Sequence, residues 1–262
     1  MPEEIAGAAQ AGSNCLVGSN EYLLTIPGVA RYHVRDGAQV RVQIEPGAAM
    51  GNVRVYLLGS VFGVLCHQNG LLPLHASAVE RNGEVTAFLG NSGDGKSTLA
   101  ACLRQRGHRV VSDDICLLEP QDDAMRVIPV AEWLKLWTQS LDHLGEKANE
   151  KFRVSESADK FRLYLSGEVS ANAHLRRIVL LGCSESSTAA PTLEPLSILE
   201  AVAALFEMTY ASYVPVLSGQ KARVFQQCAR ALGQASAWRL DRPWDLDRMD
   251  ETLDLLERQV LG

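Results

Sequence analysis

The stretch that most constrains this chain is GNSGDGKS, Gly90 to Ser97. It fits G-x-x-x-x-G-K-[ST], the P-loop or Walker A pattern, at every fixed position. Glycines let the backbone wrap so tightly that successive N–H groups point at phosphate oxygens. An apolar run, EVTAFL, precedes the loop, and a helical pattern, KSTLAACLRQRG, follows it. The sequence therefore predicts a strand, a phosphate-binding loop and a helix in that order.

The loop and the first turn of that helix are the predicted nucleotide site. Lys96 supplies a positive charge to the β and γ phosphates, and the Ser97 hydroxyl is placed to ligate Mg²⁺. The start of the helix adds the positive end of its dipole. The alternative is a glycine-rich turn with a surface lysine. We expect ATP and Mg²⁺ as cofactors, held by Gly90, Asn91, Ser92, Gly93, Asp94, Gly95, Lys96, Ser97 and Thr98.

Two adjacent acids, Asp113 and Asp114, end the apolar run that follows the predicted helix. In P-loop proteins a neighbouring strand commonly brings an acid to the metal. Neighbouring residues of a regular strand point to opposite faces, so on such a strand the two acids could not do the same job. One could hold Mg²⁺ or its water shell, and the other could accept a proton from an attacking hydroxyl. The alternative is a solvated Asp-Asp turn.

The rest of the chain mixes strand and helix patterns, which predicts an α/β or α+β nucleotide-binding fold. We predict a frayed start at 1–20, β-hairpins and a helix at 21–70, and a core with C-terminal helices at 71–262. The charged stretch 146–160 is expected to be a loop, either a solvated surface or a clamp on substrate or nucleotide. Glu132 is a candidate second Mg²⁺ ligand, although Trp133 and Trp137 favour a core strand there.

Composition narrows the class of partner. The net charge of −6 and pI near 5.6 argue against non-specific nucleic-acid binding. No apolar segment reaches the ~18 residues that a membrane span needs. The six cysteines form no Cys-x-x-Cys pair, and none is paired with a histidine at the spacing of a metal site. We expect a cytoplasmic protein with free thiols that binds neither nucleic acid nor membrane.

The block from LHASAV (74–79) to VVSDD (110–114) resembles the HPr kinase/phosphorylase family, whose P-loop is related to that of phosphoenolpyruvate carboxykinases. That family has a His-bearing strand, a cradle G-x-S-G-x-G-K-S, a helix ending in R-G-H-R and an acid pair. This chain has His75, GNSGDGKS, RGHR (106–109) and SDD (112–114). The resemblance implies that Asp114 accepts the proton, that His75 assists it and that Asp113 is the supporting acid. We therefore predict His75, Lys96, Asp113 and Asp114 as the catalytic residues, with Ser97 and Asp113 as the Mg²⁺ ligands.

The whole chain is similar to short HPr kinase-like proteins, including kinases of lasso-peptide pathways that phosphorylate a precursor-peptide serine. The resemblance implies a serine kinase acting on a peptide or protein. Because the parent family forms ring-like oligomers, it also implies a homo-oligomer. The family's P-V-R-P-G-R signature is reduced here to PVLSGQK (215–221), and its E-I-R-G segment is not evident. A small-molecule kinase and a nucleotide-gated binding or scaffold protein remain alternatives.

Overall fold

The computed structural model describes residues 1–122, 124–130, 132–155, 158–165, 173–183 and 189–262. The fold is mixed α+β, with three sheets and several helices. By its internal contacts the chain divides into two compact units. The first comprises Met1–Pro73 and Thr209–Gln227, and the second comprises Leu74–Met208 and Cys228–Gly262.

The strands and helices are numbered in chain order. The strands are β1 Ala9–Ala11, β2 Cys15–Val17, β3 Glu21–Ile26, β4 Ala30–Arg35, β5 Gln39–Ile44, β6 Leu72–Leu74, β7 Ala76–Arg81, β8 Glu84–Leu89, β9 Arg109–Ser112, β10 Cys116–Gln121, β11 Ala124–Ile128, β12 Trp133–Trp137, β13 Arg153–Ser155, β14 Ala158–Tyr164, β15 His174–Cys183, β16 Thr192–Pro195 and β17 Ser236–Arg242. The α-helices are α1 Met50–Tyr56, α2 Phe62–Gln68, α3 Lys96–Gln105, α4 Thr138–His143, α5 Ile198–Glu207, α6 Tyr213–Leu217, α7 Lys221–Leu232 and α8 Met249–Leu256. π-Helical turns lie at Leu57–Val61 and Glu257–Leu261, and 3₁₀ turns lie at Glu150–Phe152 and Leu246–Arg248.

The first unit contains a five-stranded antiparallel sheet in the order β1-β2-β3-β4-β5. The predicted hairpins are present, because β3, β4 and β5 follow one another through tight turns. The residues expected to be a frayed start instead carry β1 and β2. Their three-residue length explains why no alternation shows in the sequence. The sheet buries Tyr22, Tyr32 and Val34 against Val53 and Val64 of the first two helices.

The second unit is built around a larger sheet in the order β10-β11-β15-β8-β7-β9, with β17 beside β15 and β16 beside β17. Strands β8, β15 and β17 are parallel. Strand β7 is antiparallel to both β8 and β9, so β8 and β9 run in the same direction. The segments that follow β8, β9 and β17 therefore emerge at one edge of the sheet, where β7 begins. This is the edge at which open α/β sheets bind ligands.

Helix α3 fixes the loop before it by packing onto this sheet. Its buried side chains include Leu99, Ala101 and Leu103, which share a core with Phe88 and Val179 of the sheet. It ends as the sequence predicted, because Gly107 takes the left-handed φ of 94° that favours glycine after a helix.

Two sequence expectations in this unit need correction. The acid pair does not lie on a regular strand: β9 ends at Ser112, β10 begins at Cys116, and Asp114 has a left-handed φ of 70°. The acid pair therefore lies in an irregular link, so the alternation of a regular strand does not apply to it. The stretch 146–160 is not all loop, since it contains β13 and the start of β14. These strands form a three-stranded sheet with β12, and residues 156–157 lie outside the described part.

Candidate active site

The glycine loop lies between β8 and α3, as the sequence predicted. Gly93 and Gly95 have φ values of 101° and 79°, which L side chains rarely adopt. A Cβ at Gly95 would also lie 2.4 Å from Nη2 of Arg242. That guanidinium donates a 2.9 Å hydrogen bond to the carbonyl oxygen of Asp94. Glycine at position 95 is therefore required both by the backbone and by the side chain packed against it.

Lys96 is folded back over this loop. Its Nζ donates to the carbonyl oxygens of Gly90 and Asn91, both at 2.8 Å, and to Nε2 of His75 at 3.1 Å. The side chain is only 6% exposed. Burial lowers the pKa of Lys96, and Asp94 and the acid pair only partly counteract this effect. The ammonium group is thus held at the place where a phosphate oxygen could replace the two carbonyls.

Asp113 belongs to the loop side of the site. Its Oδ1 accepts hydrogen bonds from the hydroxyls of Ser97 and Ser77, each at 2.7 Å. Its Oδ2 accepts from the backbone N–H of Lys135 at 2.8 Å. Burial raises the pKa of Asp113, and these hydrogen bonds offset the rise in part. The two residues that the sequence assigned to Mg²⁺, Ser97 and Asp113, are therefore in direct contact.

Asp114 faces other partners. Its Oδ2 accepts a 2.7 Å hydrogen bond from Nζ of Lys135, and its Oδ1 lies 3.5 Å from Nδ1 of His75. Burial alone would raise the pKa of Asp114, but Lys135 and His75 outweigh burial and the net shift is downward. The two neighbouring carboxyls therefore differ both in their partners and in their acidity.

His75 connects Lys96 with Asp114. A protonated lysine can only donate, so Nε2 of His75 accepts from Lys96 and the ring proton resides on Nδ1. That nitrogen donates to the backbone oxygen of Asp114 at 3.1 Å. Burial lowers the pKa of His75, and the charge of Lys96 lowers it further, against the pull of Asp114. The ring is therefore built to be neutral at pH 7.

These groups open into one cavity of about 700 Å³ within the second unit. From the glycine loop, Ser92, Gly93, Gly95, Lys96, Ser97 and Thr98 line it, and His75, Asp113 and Asp114 lie opposite. Of the predicted loop residues, Gly90, Asn91 and Asp94 are not among the described lining residues. Gly90 and Asn91 offer carbonyl oxygens to Lys96, and Asp94 accepts from the N–H of Asn91.

Sequence reasoning missed several residues of this cavity. Lys135 lies on β12 between the buried Leu134 and Leu136, and this alternation was the signal that its side chain faces away from the core. Arg242, at the end of β17, is 3% exposed, and Trp244 follows it. No local pattern marks them, because β17 reaches the site only through its pairing with β15.

The sequence left open the roles of Glu132 and of the stretch 146–160, and the structure gives them different positions. Glu132 is exposed and is absent from the described residues that line the cavity. Within 146–160, Lys160 does line it, with Nζ 4.7 Å from the ring centre of Trp137. Arg153 instead pairs with Glu150 and lies over Phe161. Lys160 of the charged stretch therefore belongs to the site.

The donor set can be compared with what Mg²⁺ requires. Mg²⁺ prefers oxygen ligands and is commonly held by one or two protein oxygens together with substrate phosphates and waters. Ser97 and Asp113 supply a hydroxyl and a carboxylate beside the phosphate loop, which fits a nucleotide-bound magnesium. Among the described residues no three His, Cys, Asp or Glu side chains gather as a metal site. Ser97 and Asp113 thus fit a metal that is also bound by the phosphates of a nucleotide. They do not by themselves enclose a metal ion.

In the described part of the chain, no helix has the length and apolar character to cross a membrane. No protein-family model matches the sequence, and no curated protein sequence does. Among solved structures, the Hpr(Ser) kinase/phosphatase from Coxiella burnetii is similar at 14% sequence identity. The match covers 72% of this chain and 97% of that chain, with a TM-score of 0.35. A TM-score of 0.35 at 14% identity does not assign a function to this chain.

Proposed function

We propose that this protein is an ATP- and Mg²⁺-dependent kinase that transfers the γ-phosphoryl group to a serine hydroxyl of a peptide or protein. The observation that carries the proposal is that two consecutive acids beside one phosphate loop contact different partners. Asp113 contacts Ser97, while Asp114 faces the cavity between His75 and Lys135. A kinase needs both a metal-side acid and an acid that receives the acceptor hydroxyl.

In the proposed complex the phosphates lie against the backbone of the glycine loop. Lys96 exchanges its bonds to the carbonyls of Gly90 and Asn91 for bonds to phosphate oxygens. Ser97 and Asp113 would hold a magnesium ion, which would neutralise charge on the β and γ phosphates. Lys96 places positive charge where negative charge develops during transfer, which is a large contribution to catalysis.

Asp114 orients the acceptor hydroxyl and takes its proton. The charge and hydrogen bond of Lys135 hold the pKa of this carboxyl below its usual range, so it is ionised and ready to accept a hydrogen bond from the hydroxyl. A carboxylate with a lowered pKa is a weak base. It suits a loose transition state, in which little bonding to the nucleophile has formed and the proton leaves late. Lys135, 2.7 Å from Asp114, adds positive charge on the acceptor side.

An extended peptide is the acceptor class that we propose, and a precursor peptide of a lasso-type pathway is the specific candidate that the sequence resemblance implies. One observation supports an extended chain, and another supports negative charge at its end. Strand β5 is an outer strand of its sheet and all six of its residues are exposed, so a peptide can add to it as a further strand. Lys135 and Lys160 line the cavity and favour an acceptor end with negative charge.

The direct test is transfer of labelled γ-phosphate from Mg·ATP to a panel of acceptors. The panel holds a precursor peptide ending in serine, the same peptide ending in alanine, HPr protein and free serine. We expect one phosphate on the serine-ending peptide only. Lys96→Ala is the control and should remove most of the transfer, because the γ-phosphoryl group loses its main protein charge.

Other outcomes name other functions. Efficient labelling of free serine would move the assignment to a small-molecule kinase. Nucleotide binding with neither transfer nor phosphate release would indicate a nucleotide-gated scaffold. Turnover of Lys96→Ala within a factor of about 3 of the unaltered protein would contradict the assignment of the loop.

A further inference from the structure

We propose that Trp244, backed by Arg242, is the platform on which the nucleobase of the bound nucleotide stacks. This inference rests on the proposed function, in that it takes a nucleoside triphosphate as the ligand of the glycine loop. It adds the part of the site that recognises the base, which no motif in the sequence identifies.

Trp244 lies beside the phosphate loop, next to Arg242 and Gly95. The Arg242 guanidinium carbon lies 5.4 Å from the centre of its ring, within cation–π distance. A Cβ placed on Gly95 would lie 3.6 Å from the Cη2 atom of the ring. Arg242 is itself fixed by its 2.9 Å hydrogen bond to the carbonyl oxygen of Asp94. The ring is therefore attached to the last turn of the loop that would hold the phosphates.

The ring remains 59% exposed although it lines the cavity. Its surroundings suit a base more than phosphate. Leu246, Met249, Asp245 and Asp247, which follow Trp244 within five residues, also line the cavity. Two acids repel a triphosphate, but carboxylates accept hydrogen bonds from exocyclic amino groups. The phosphates thus belong on the Lys96 side and the base on the Trp244 side.

The second tryptophan of the cavity is a poorer candidate. Trp137 has Nζ of Lys160 over its ring at 4.7 Å, and it shares β12 with Lys135, which contacts Asp114. That position places it on the acceptor side of the proposed site. Trp137 therefore provides a matched control: an aromatic ring of the same cavity that should not contact the base.

The test compares binding of Mg·ATP with binding of inorganic tripolyphosphate, which has no base, by calorimetry. Base–aromatic stacking predicts that Trp244→Ala weakens ATP binding about 5- to 100-fold. Tripolyphosphate binding should be unchanged, and Trp244→Phe should retain most of the ATP affinity. Trp137→Ala should leave ATP binding within about 3-fold, and GTP should bind nearly as well as ATP, because every base has a π face.

Three outcomes would overturn the inference. One is ATP binding by Trp244→Ala within 2-fold of the unaltered protein, which leaves the proposed function intact. Another is equal weakening of ATP and tripolyphosphate, which would show that Trp244 only shapes the loop. The third comes from the unaltered protein and needs no variant: ATP and tripolyphosphate quenching tryptophan fluorescence equally. If neither the unaltered protein nor Lys96→Ala binds ATP, it is the proposed function that fails.

Discussion

Asp113 and Asp114 are adjacent in the chain, yet the pKa values of their carboxyls are shifted in opposite directions. Burial raises the pKa of Asp113, while Lys135 and His75 overcome burial at Asp114 and lower its pKa. The left-handed φ of Asp114 turns the backbone between them, so each side chain reaches a different set of partners. Removal of either charge should therefore have a distinct effect.

We expect Asp114→Asn to abolish phosphoryl transfer and to leave ATP binding largely intact. The amide keeps the size of the side chain but cannot take a proton, and loss of a general base typically costs about 10²–10⁴ in rate. Asp113→Asn should mainly raise the Mg²⁺ concentration needed for half-maximal rate. Single-turnover transfer at several Mg²⁺ concentrations measures both effects. An active Asp114→Asn beside an inactive Asp113→Asn would reverse the two assignments.

Lys135→Met should lower kcat about 10²-fold, the order found when one preorganised donor is removed. Without the ammonium group the pKa of Asp114 rises, so the acid limb of the pH–rate profile should move to higher pH. Lys135→Arg keeps the charge and is the matched control. A Lys135→Met profile that falls in height but does not move in pH would show that Lys135 does not act through Asp114.

Protonation of His75 should produce its own loss of activity on the acid side of the pH–rate profile. Its folded pKa is lowered, so the neutral ring is kept until the pH falls below the ordinary value of about 6.5. The stability that depends on the neutral ring is likewise present above that value and is lost as the pH falls through the folded pKa. Protonation adds a cation beside Lys96 and removes the acceptor at Nε2. Activity should therefore drop on the acid side, and His75→Gln should flatten that limb. If the limb persists in His75→Gln, it belongs to Asp113 or Asp114.

At the scale of the element, the π-helical turn Leu57–Val61 and the start of α2 show how close packing selects glycine. An added Cβ at Gly63 would lie 2.9 Å from Cδ1 of Tyr210, and one at Gly59 would lie 2.9 Å from the Tyr210 hydroxyl. Tyr210 is fixed in turn, since its backbone oxygen is 2.8 Å from Nε2 of His67. The helix surface is thus fitted to a ring that arrives from far along the chain.

Gly63→Ala should destabilise the protein by about 1–3 kcal/mol, the usual cost of overpacking. Gly51→Ala in α1 is the matched control, because a Cβ there meets nothing within 4 Å. That variant should be neutral or gain up to about 1 kcal/mol from helix propensity. Thermal or urea unfolding followed by circular dichroism compares the two. Equal midpoints for both variants would contradict the clash at Tyr210.

The sequence was sufficient for elements whose signal is local. The strand before Gly90, helix α3 with its end at Gly107, and the hairpins of β3 to β5 were predicted because turn residues and periodicity lie within each segment. The acids were found, but not their geometry, since a left-handed Asp114 leaves no mark in the sequence. Lys135 and Trp244 were missed because tertiary contacts, not spacing along the chain, bring them to the site. Strand β17 pairs with β15, and the N–H of Lys135 on β12 donates to Asp113.

At the scale of the whole molecule, charge is unevenly divided. The first unit has six Lys or Arg and five Asp or Glu residues, whereas the second has 19 and 26. The cavity that we propose to bind nucleotide thus lies in an acidic unit, and any attraction for phosphate must come from nearby cations. Lys96, Lys135, Lys160 and Arg242 all line it. A local site of this kind suits a bound nucleotide but not a long polyanion.

We expect kinase activity without the reverse, phosphate-driven reaction. That reaction needs inorganic phosphate held as a nucleophile, and arginine pairs hold phosphate best. PVLSGQK runs from α6 to the first residue of α7 and has no arginine, and its Lys221 lies over the ring of Phe225. Incubation of phosphopeptide with phosphate should therefore yield no pyrophosphate above background. Pyrophosphate at a rate comparable to forward transfer would refute this.

The two-segment make-up of the first unit has a consequence for biosynthesis. Tyr213 hydrogen-bonds to Tyr22 at 2.8 Å, and Gln227 donates to the carbonyl oxygen of Gly70, so residues 209–227 complete a unit that begins at Met1. A ribosome adds about 5–20 residues per second, so about 8–30 s pass between the synthesis of Pro73 and that of Gln227. During that interval the amino-terminal sheet lacks α6 and the part of α7 that complete its unit. Chaperones that shield exposed apolar surface would have their main opportunity then.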